Sequence, residues 1–266
     1  MKSKLKSSNI IRLDKFISSQ TEYSRTEVKK LLSKNQIKVN GKVVKVADLK
    51  IDTEIDEVLL NDEKISFNKY IYLMLNKPKN YVCSTNDKIS RTVIDLLPEK
   101  YKNKDLFPAG RLDKDSEGFV LMTNDGELAH SILSPKNHVP KYYVVELENP
   151  FEDNYIEKFK SGIIIGDGEI CLPANVSRFH EKFAIIELME GKYHQVKRMF
   201  KAVGNNVIRL IRIQIGGLTL NVNLEQKGCL ELLHKDVSKL TLKYDYDAVC
   251  FELEKVFSSY LINNKI

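Results

Sequence analysis

The sequence has no tryptophan, five histidines and only four cysteines among its 266 residues. Cys83, Cys171, Cys229 and Cys250 lie far apart and form no CxxC pair, which argues against both a zinc site and a disulfide framework. We therefore expect no structural metal here, and we expect the four cysteines to be buried as small apolar residues.

Long apolar runs are also missing. No stretch of 18 apolar residues occurs, and the first segment, MKSKLKSSNIIRLD, is charged and too poor in apolar residues for a signal peptide. We therefore expect a cytoplasmic protein with no membrane partner. The apolar content of 42% is enough for the core of one large domain or two smaller ones.

The net charge of +6 is distributed unevenly along the chain. Residues 1–50 contain 13 Lys or Arg and 4 Asp or Glu, a surplus of +9, whereas the remaining residues contain 29 and 32, a balance of −3. Such a basic block is typical either of a solvated lysine-rich tail or of a module that neutralises nucleic-acid phosphates. Charge alone leaves both explanations open.

Two short helices are predicted near the start of the chain. Leu13, Phe16 and Ile17 have helical spacing, and Ser24 with Glu27 three residues later predicts the N-terminus of a second helix. Ile37 and Val39 then alternate as in a strand, and a hairpin turn is predicted directly after them.

Composition divides the chain into five parts. Residues 1–10 are polar and predict a flexible leader, 11–60 a small helix-helix-hairpin domain, and 61–69 a linker. Residues 70–240 form a second domain, and 241–266 an amphipathic extension of unclear role that is suited to a terminal helix.

The second domain mixes strands and helices without a regular βαβ order, so we expect an α+β fold built on a largely antiparallel or mixed sheet. The strand candidates are YIYLMLNKP, FVLMT, KYYVVELENP, FAIIELME and VIRLIRIQIGG. The helix candidates are 127–133, 155–161 and 194–203, and a turn is predicted over 166–168.

The first domain contains several matching features: RLDKF at 12–16, Ser24-Arg25, KKLL at 29–32 and VNGK at 39–42. In these it resembles the small RNA-binding domain first known from ribosomal protein S-four. The resemblance implies that structured RNA contacts the basic side chains of this region. The candidates are Arg12, Arg25, Lys29, Lys30 and Lys42.

The segment GRLDKDSEG, residues 110–118, places acidic side chains in a glycine-bounded loop before a buried strand, a position where catalytic residues are common. Composition alone favours a solvated acidic loop in which Asp113 only caps local structure. A metal site at Asp113 and Asp115 is less well supported, because neither a histidine nor a third carboxylate stands at ligand spacing. Arg111 and Glu117 are predicted to lie in the same loop.

Four ordered motifs resemble those of the pseudouridine synthases, and in particular of the RsuA branch, which modifies ribosomal RNA. The motifs are MLNKPKNYVCST, GRLDKDSEGFVLMTNDGELAH, SPKNHVPKYYVVEL and EGKYHQVKRMFKAVGNNV. The resemblance runs from Arg12 to about Leu233. It implies an isomerase that converts uridine to pseudouridine and uses neither a cofactor nor a metal.

The resemblance assigns the catalytic carboxylate to Asp113. A carboxylate beside the sugar suits the reaction, because it can attack the anomeric carbon or stabilise positive charge there; the sequence leaves both routes open. The resemblance also implies that Tyr143 stacks on the uracil, although a core tyrosine on a strand has the same pattern. Tyr142 is predicted to face the other side of its strand.

A cation is needed to keep the carboxylate ionised in a pocket of low dielectric constant. The resemblance favours Lys197 of HQVKRMF for this role, with Arg198 as the alternative or as an RNA-phosphate contact. Arg111 is predicted to fill the place that a flipped uridine leaves in its base stack.

The motifs most resemble those of the enzyme that acts on uridine 516 of 16S rRNA. The predicted partner is therefore 16S rRNA, either naked or in an assembling small subunit, and the chain is expected to act as a monomer. Two alternatives stay open: a 23S rRNA pseudouridine synthase of the same family, or a non-catalytic RNA-binding factor for ribosome assembly.

Overall fold

The computed structural model describes residues 9–102, 104–166 and 168–263. Three predictions fall partly outside these ranges: the leader (residues 1–8), the turn at Asp167 and the end of the extension (264–266). The chain divides into two compact units. Unit 1 comprises Met1–Tyr70 and Pro98–Asp105, and unit 2 comprises Ile71–Leu97 and Leu106–Ile266.

Unit 1 begins with the predicted helix-helix-hairpin order. Its elements are β1 Ile10–Arg12, α1 Leu13–Gln20, α2 Arg25–Ser33, β2 Ile37–Val39, β3 Lys42–Val43, β4 Lys50–Asp52, β5 Val58–Leu60, β6 Glu63–Lys64 and α3 Glu99–Lys102. The Ser24 side chain accepts a hydrogen bond from the Glu27 backbone N–H, and the Glu27 carboxylate accepts one from the Ser24 backbone N–H. This reciprocal cap confirms the predicted start of α2.

Unit 1 has its own apolar core, in which Leu13, Phe16, Val28 and Leu32 pack together with residues of β2, β4 and β5. The segment predicted to be a linker, 61–69, contributes to this unit. Its strand β6 pairs with β5, and the Phe67 ring stacks on that of Phe16 at 5.7 Å. A polar composition concealed these contacts.

The segment 98–105 was predicted to belong to the second domain, yet it groups with unit 1. The Lys104 ammonium donates hydrogen bonds to the carbonyl oxygens of Ser18 and Thr21, and Tyr101 is buried. Contacts over more than 80 residues of sequence hold the segment there, and local pattern carries no signal for them.

Unit 2 contains the remaining elements. They are β7 Tyr72–Lys77, β8 Phe107–Pro108, β9 Glu117–Thr123, α4 Gly126–Leu133, β10 Lys141–Leu147, α5 Asn154–Lys160, β11 Ile164–Ile165, β12 Glu169–Ile170, β13 Asn175–His180, β14 Phe183–Leu188, α6 Gln195–Ala202, β15 Val207–Ile215, β16 Leu218–Thr219, β17 Cys229–Glu231, α7 His234–Val237 and α8 Tyr246–Asn263. Short 3-10 helices lie at Val93–Leu96, Pro135–Asn137 and Ser238–Thr241. Each strand and helix predicted for this region is present.

Within the described part of unit 2, nine strands form one sheet in the order β13-β14-β10-β15-β9-β7-β17, with β16 beside β15 and β8 beside β9. Among these strands, neighbours pair antiparallel except β15 and β9, which are parallel. The predicted α+β fold with a largely antiparallel, mixed sheet is therefore confirmed.

The extension forms helix α8, whose residues Val249, Cys250, Leu253 and Phe257 join the core on one face of the sheet. The expected burial holds for three of the cysteines but is wrong for Cys229, which is partly exposed on the edge strand β17. No helix among the described residues is both long and apolar enough to cross a membrane.

Candidate functional site

Asp113 lies in the loop that leads into β9, as predicted, but Glu117 does not belong to this loop. Glu117 is the first residue of β9, and its almost fully buried carboxylate accepts two hydrogen bonds from Arg209 of β15, at 2.7 and 2.9 Å. Its carboxylate thus links β9 to β15 directly after the loop. Of the three acidic residues in the motif, only Asp113 and Asp115 therefore remain accessible to a ligand.

A buried lysine at the end of β7 holds the Asp113 loop. Lys77 is 0% exposed, and its ammonium donates hydrogen bonds to the carbonyl oxygens of Asp113 at 3.0 Å and Ser116 at 2.6 Å. Burial lowers the pKa of Lys77 to about 8. Cys83 adds a second restraint, because its sulfur accepts a hydrogen bond from the Leu112 backbone N–H at 3.3 Å. The loop backbone is therefore held before any ligand arrives.

Two side chains from the start of α6 face the Asp113 carboxylate. Lys197 Nζ lies 3.8 Å from Oδ2, and His194 Nε2 lies 3.5 Å from Oδ1. Helix α6 is anchored by the buried residues Val196 and Phe200, so these two side chains are projected from a fixed support. Asp113 keeps 27% of its side chain exposed, which leaves it open to a ligand.

Lys197 is shared between two carboxylates. Its ammonium donates to both oxygens of Asp115, at 2.5 and 2.6 Å, and these contacts are shorter than its distance to Asp113. Partial burial raises the pKa of Asp115, but the hydrogen bond and charge of Lys197 outweigh it, so the net shift is downward. The Lys197 ammonium thus bridges the carboxylates of Asp113 and Asp115. Within the described residues, no group of three or more His, Cys, Asp or Glu side chains is arranged to hold a metal ion.

Arg198, the alternative partner of Asp113, points elsewhere. Its guanidinium pairs with Glu169 at 3.0 Å and donates to the carbonyl oxygen of Tyr193 at 3.2 Å. Neighbouring helical residues project about 100° apart, so only one of Lys197 and Arg198 can face the loop. The geometry favours Lys197.

Tyr143 shares a sheet face with the residue that holds the loop. The strand register places Tyr143, Arg212, Gly118 and Lys77 in one row across β10, β15, β9 and β7. Directly paired residues of neighbouring strands project from the same face. Tyr143 and Lys77 therefore lie on one face, and Lys77 is bonded to the Asp113 backbone.

Gly118 in this row cannot be replaced without strain. Its φ is +100°, and a Cβ there would lie 2.3 Å from the carbonyl oxygen of Arg212. The close approach of β9 to β15 directly after the acidic loop therefore requires glycine.

Tyr142 extends from the opposite face, as predicted. It is fully buried in the core, and its hydroxyl donates to Glu187 at 2.6 Å. Burial, together with the neighbouring carboxylate, raises the pKa of Tyr142. Tyr142 is a structural residue.

The remaining candidates are exposed cations. Arg111 is exposed and makes no side-chain hydrogen bond or ion pair with another residue of the described ranges, which leaves it free to contact a ligand. In unit 1 the exposed candidates are Arg25, Lys29, Lys30 and Lys42. Arg12 differs from them.

Arg12 forms two hydrogen bonds to the buried carboxylate of Asp14, at 3.0 and 2.8 Å. This pair lowers the pKa of Asp14. Arg12 therefore stabilises the start of α1, and its pairing with Asp14 weakens its attraction for a phosphate.

The sequence alone did not predict three features of this site. They are the hydrogen bonds of Lys77 to the loop, the contact of His194 with Asp113, and the pairing of Lys197 with Asp115. Lys77 and His194 stand inside the motifs NKP and HQVK, so the signal was present. Their contacts with the Asp113 loop are long-range, and a single sequence does not show them.

Comparisons with known proteins identify the family to which the chain is similar. Residues 71–202 match the family model described as RNA pseudouridylate synthase, and residues 11–54 match the S4 domain. The chain is 41% identical over 231 residues to ribosomal small subunit pseudouridine synthase A of Escherichia coli (strain K12), covering 86% of this chain and 100% of that protein.

Two further matches are also pseudouridine synthases. An RNA pseudouridine synthase of Bacillus subtilis (strain 168), itself described as uncharacterized, is 38% identical over 234 residues, covering 86% of this chain and 98% of that protein. A crystal structure of a pseudouridylate synthase matches with a TM-score of 0.62 and 38% identity, over 86% of this chain and 99% of the other.

Proposed function

This chain belongs to the RNA pseudouridylate synthase family and is an rRNA pseudouridine synthase; we propose that its target is uridine 516 of 16S rRNA and that Asp113 is its catalytic carboxylate. The observation that carries the proposal is a partly exposed carboxylate on a loop held by Lys77, faced by a cation from α6. The small-subunit target is supported by the 41% identity to a ribosomal small subunit enzyme along its whole length.

The reaction is an isomerisation in which the bond between C1′ of the ribose and N1 of uracil breaks and a bond from C1′ to C5 forms. N1 gains a proton and C5 loses one, so no atom is added. In the proposed mechanism Asp113 assists the first step, either by attacking C1′ or by stabilising positive charge on the sugar. Both routes require an ionised carboxylate.

Lys197 has the proposed role of keeping that carboxylate ionised. Its ammonium is hydrogen-bonded to Asp115 and lies 3.8 Å from Asp113. At that distance its positive charge stabilises the ionised form of Asp113. Tyr143 is proposed to stack on the detached uracil, so that the base can turn without escaping. Arg111 is proposed to enter the base stack in place of the flipped uridine.

The exposed cations of unit 1, together with Arg198 of unit 2, are proposed to bind phosphates of the same RNA. Because rRNA is modified where ribosomes are assembled, we place the protein in the cytoplasm. We also propose that it acts as a monomer, since one chain contains every residue assigned above.

The target can be mapped by carbodiimide-induced stops of reverse transcription on 16S and 23S rRNA. Cells with the gene, cells without it and deleted cells carrying the gene on a plasmid are compared. The proposal predicts that the stop at uridine 516 disappears on deletion and returns with the plasmid, while the 23S pattern stays constant. An unchanged 16S pattern, or a lost stop in 23S rRNA, would refute the target.

A further inference from the structure

Tyr193 and His194 form an aromatic pair beside the Asp113 loop. Their ring centroids are 4.0 Å apart and their planes differ by 14°, so the rings stack face to face. The inner ring, His194, lies 3.5 Å from the Asp113 carboxylate. The outer ring, Tyr193, is 74% exposed. The pair therefore extends from the catalytic carboxylate outward to solvent.

The backbone that carries the pair is well restrained. Gln195 is only 4% exposed, and its side chain accepts a hydrogen bond from the Lys192 backbone N–H at 2.9 Å. Arg198 donates to the Tyr193 carbonyl oxygen at 3.2 Å. The exposed tyrosine thus stands on a fixed turn and not on a mobile loop tip, which reduces the entropy lost when a ligand stacks on it.

His194 occupies an unfavourable backbone conformation. Its φ is +48° and its ψ is +36°, the left-handed region that non-glycine residues seldom adopt, and it does so at the N-cap of α6. A single exposed aromatic residue is ordinary on a protein surface. An exposed tyrosine stacked on a strained histidine that faces the carboxylate is a more specific arrangement, and strain of this kind concentrates at functional sites.

The chemistry of the pair suits a nucleobase. Proteins bind unstacked bases of single-stranded RNA on the faces of Tyr, Phe, Trp and His. The uracil itself is assigned to Tyr143 on the sheet face, so the outer face of Tyr193 is available for a different base. Lys192, Lys197 and Arg198 lie within five residues of Tyr193, but each is already ion-paired, with Glu169, Asp115 and Glu169 respectively. The ring face, and not free charge, is therefore what the pair offers to a base.

We propose that the Tyr193–His194 pair is a stacking platform for the base of a nucleotide next to the target uridine. The platform would hold the RNA strand open at the point where the uridine leaves its stack. The inference rests on the proposed function, because it concerns the substrate of the same site.

The test uses the full chain with Asp113→Asn, so that binding is measured without turnover. The probe is a short oligoribonucleotide centred on the uridine that mapping identifies as modified, with 2-aminopurine directly 5′ or directly 3′ of it. Stacking of 2-aminopurine on an aromatic ring quenches its fluorescence. We expect quenching at one of the two positions, and we expect Tyr193→Ala to abolish it and to weaken binding about 5- to 150-fold, which corresponds to about 1–3 kcal/mol.

Two control variants separate stacking from other effects. Tyr193→Phe keeps the ring and is expected to bind within about twofold of the parent with the quenching intact. Phe251→Ala removes an exposed aromatic ring from α8 and is expected to change neither signal. An affinity for Tyr193→Ala equal to that of the parent would overturn the platform, as would a Phe variant as weak as the Ala variant.

The two proposals fail in different ways. If mapping finds no uridine modified by this protein, the proposed function fails and the platform fails with it. If a uridine is modified and its oligoribonucleotide binds, but Tyr193→Ala has no effect, only the platform is wrong.

Discussion

The exposed lysines of unit 1 and the buried Lys77 of unit 2 serve different physical purposes. In unit 1 the candidate RNA contacts Arg25, Lys29 and Lys30 are exposed, whereas Lys77 of unit 2 is fully buried against backbone carbonyls. An exposed lysine retains its hydration and acts on phosphates through a field that salt screens. A buried one loses hydration at a cost in free energy and in return holds a defined geometry. The basic block of the sequence therefore predicts affinity, whereas Lys77 fixes the geometry of the loop that carries Asp113.

The largest effect that tests this comparison is expected from Asp113→Asn. The amide keeps the shape but can neither attack C1′ nor balance positive charge, so the rate should fall at least about 1,000-fold. Release of tritium from rRNA labelled at uracil C5 measures this, with circular dichroism as the control for folding. Retention of more than a tenth of the activity would contradict the role of Asp113.

A smaller loss, about 100-fold, is expected from Lys197→Met, because the carboxylate pair then lacks its counter-ion. Lys197→Arg should recover part of the rate. Arg198→Met is the matched control on the same helix and should lose less than about tenfold in the single-turnover rate constant at saturating RNA. The reverse ranking of the two Met variants would assign the counter-ion to Arg198.

The buried lysine should also be visible in the pH dependence of stability. The pKa of Lys77 is about 8 in the folded protein and about 10.4 in an unfolded chain. Between these values the unfolded chain binds more protons, so the free energy of unfolding should rise with pH. From pH 8 to 10 the contribution of Lys77 is about 1–2 kcal/mol.

Urea unfolding at both pH values can isolate this contribution. Lys77→Met should show a smaller rise, because only Lys141, whose pKa burial also lowers to about 8, and the other buried lysines then contribute to it. Lys29→Met, which removes an exposed lysine, should retain the full rise. The same slope in all three proteins would show that Lys77 is not titrating as a buried group.

The smallest effect is expected in unit 1. The double variant Lys29→Ala, Lys30→Ala should weaken RNA binding about tenfold and reduce the slope of log K against log salt by about 1.4–1.8, as two lost phosphate contacts predict. Filter binding over a salt series measures both. A weaker affinity with an unchanged slope would show that these lysines do not contact phosphate.

Much of the fold was predictable because its signals are local. The cap formed by Ser24 and Glu27 specifies α2, and alternation or apolar runs specify the strands of unit 2. The misplaced parts depend on distant contacts. The linker prediction failed because Glu63–Lys64, inside the polar segment 61–69, form a strand beside β5. Glu117 was misplaced in the loop because its partner, Arg209, is 92 residues away.

The candidate site shows the same division. Family motifs pointed to Asp113 and Lys197, and the structure places them 3.8 Å apart. No motif indicated that Asp115 would be the closer partner of Lys197, because that depends on how the loop is folded over Lys77.

The central claim is that Asp113 of unit 2 carries the chemistry while Lys29 and Lys30 of unit 1 contribute to affinity and not to the chemical step, and one parallel measurement tests it most directly. The single-turnover rate constant at saturating RNA and the dissociation constant are determined for Asp113→Asn and for the Lys29→Ala, Lys30→Ala variant under identical salt. We predict that Asp113→Asn loses the rate and keeps the affinity, while the double variant loses affinity and keeps the rate. Rate and affinity falling together in either protein would contradict the account.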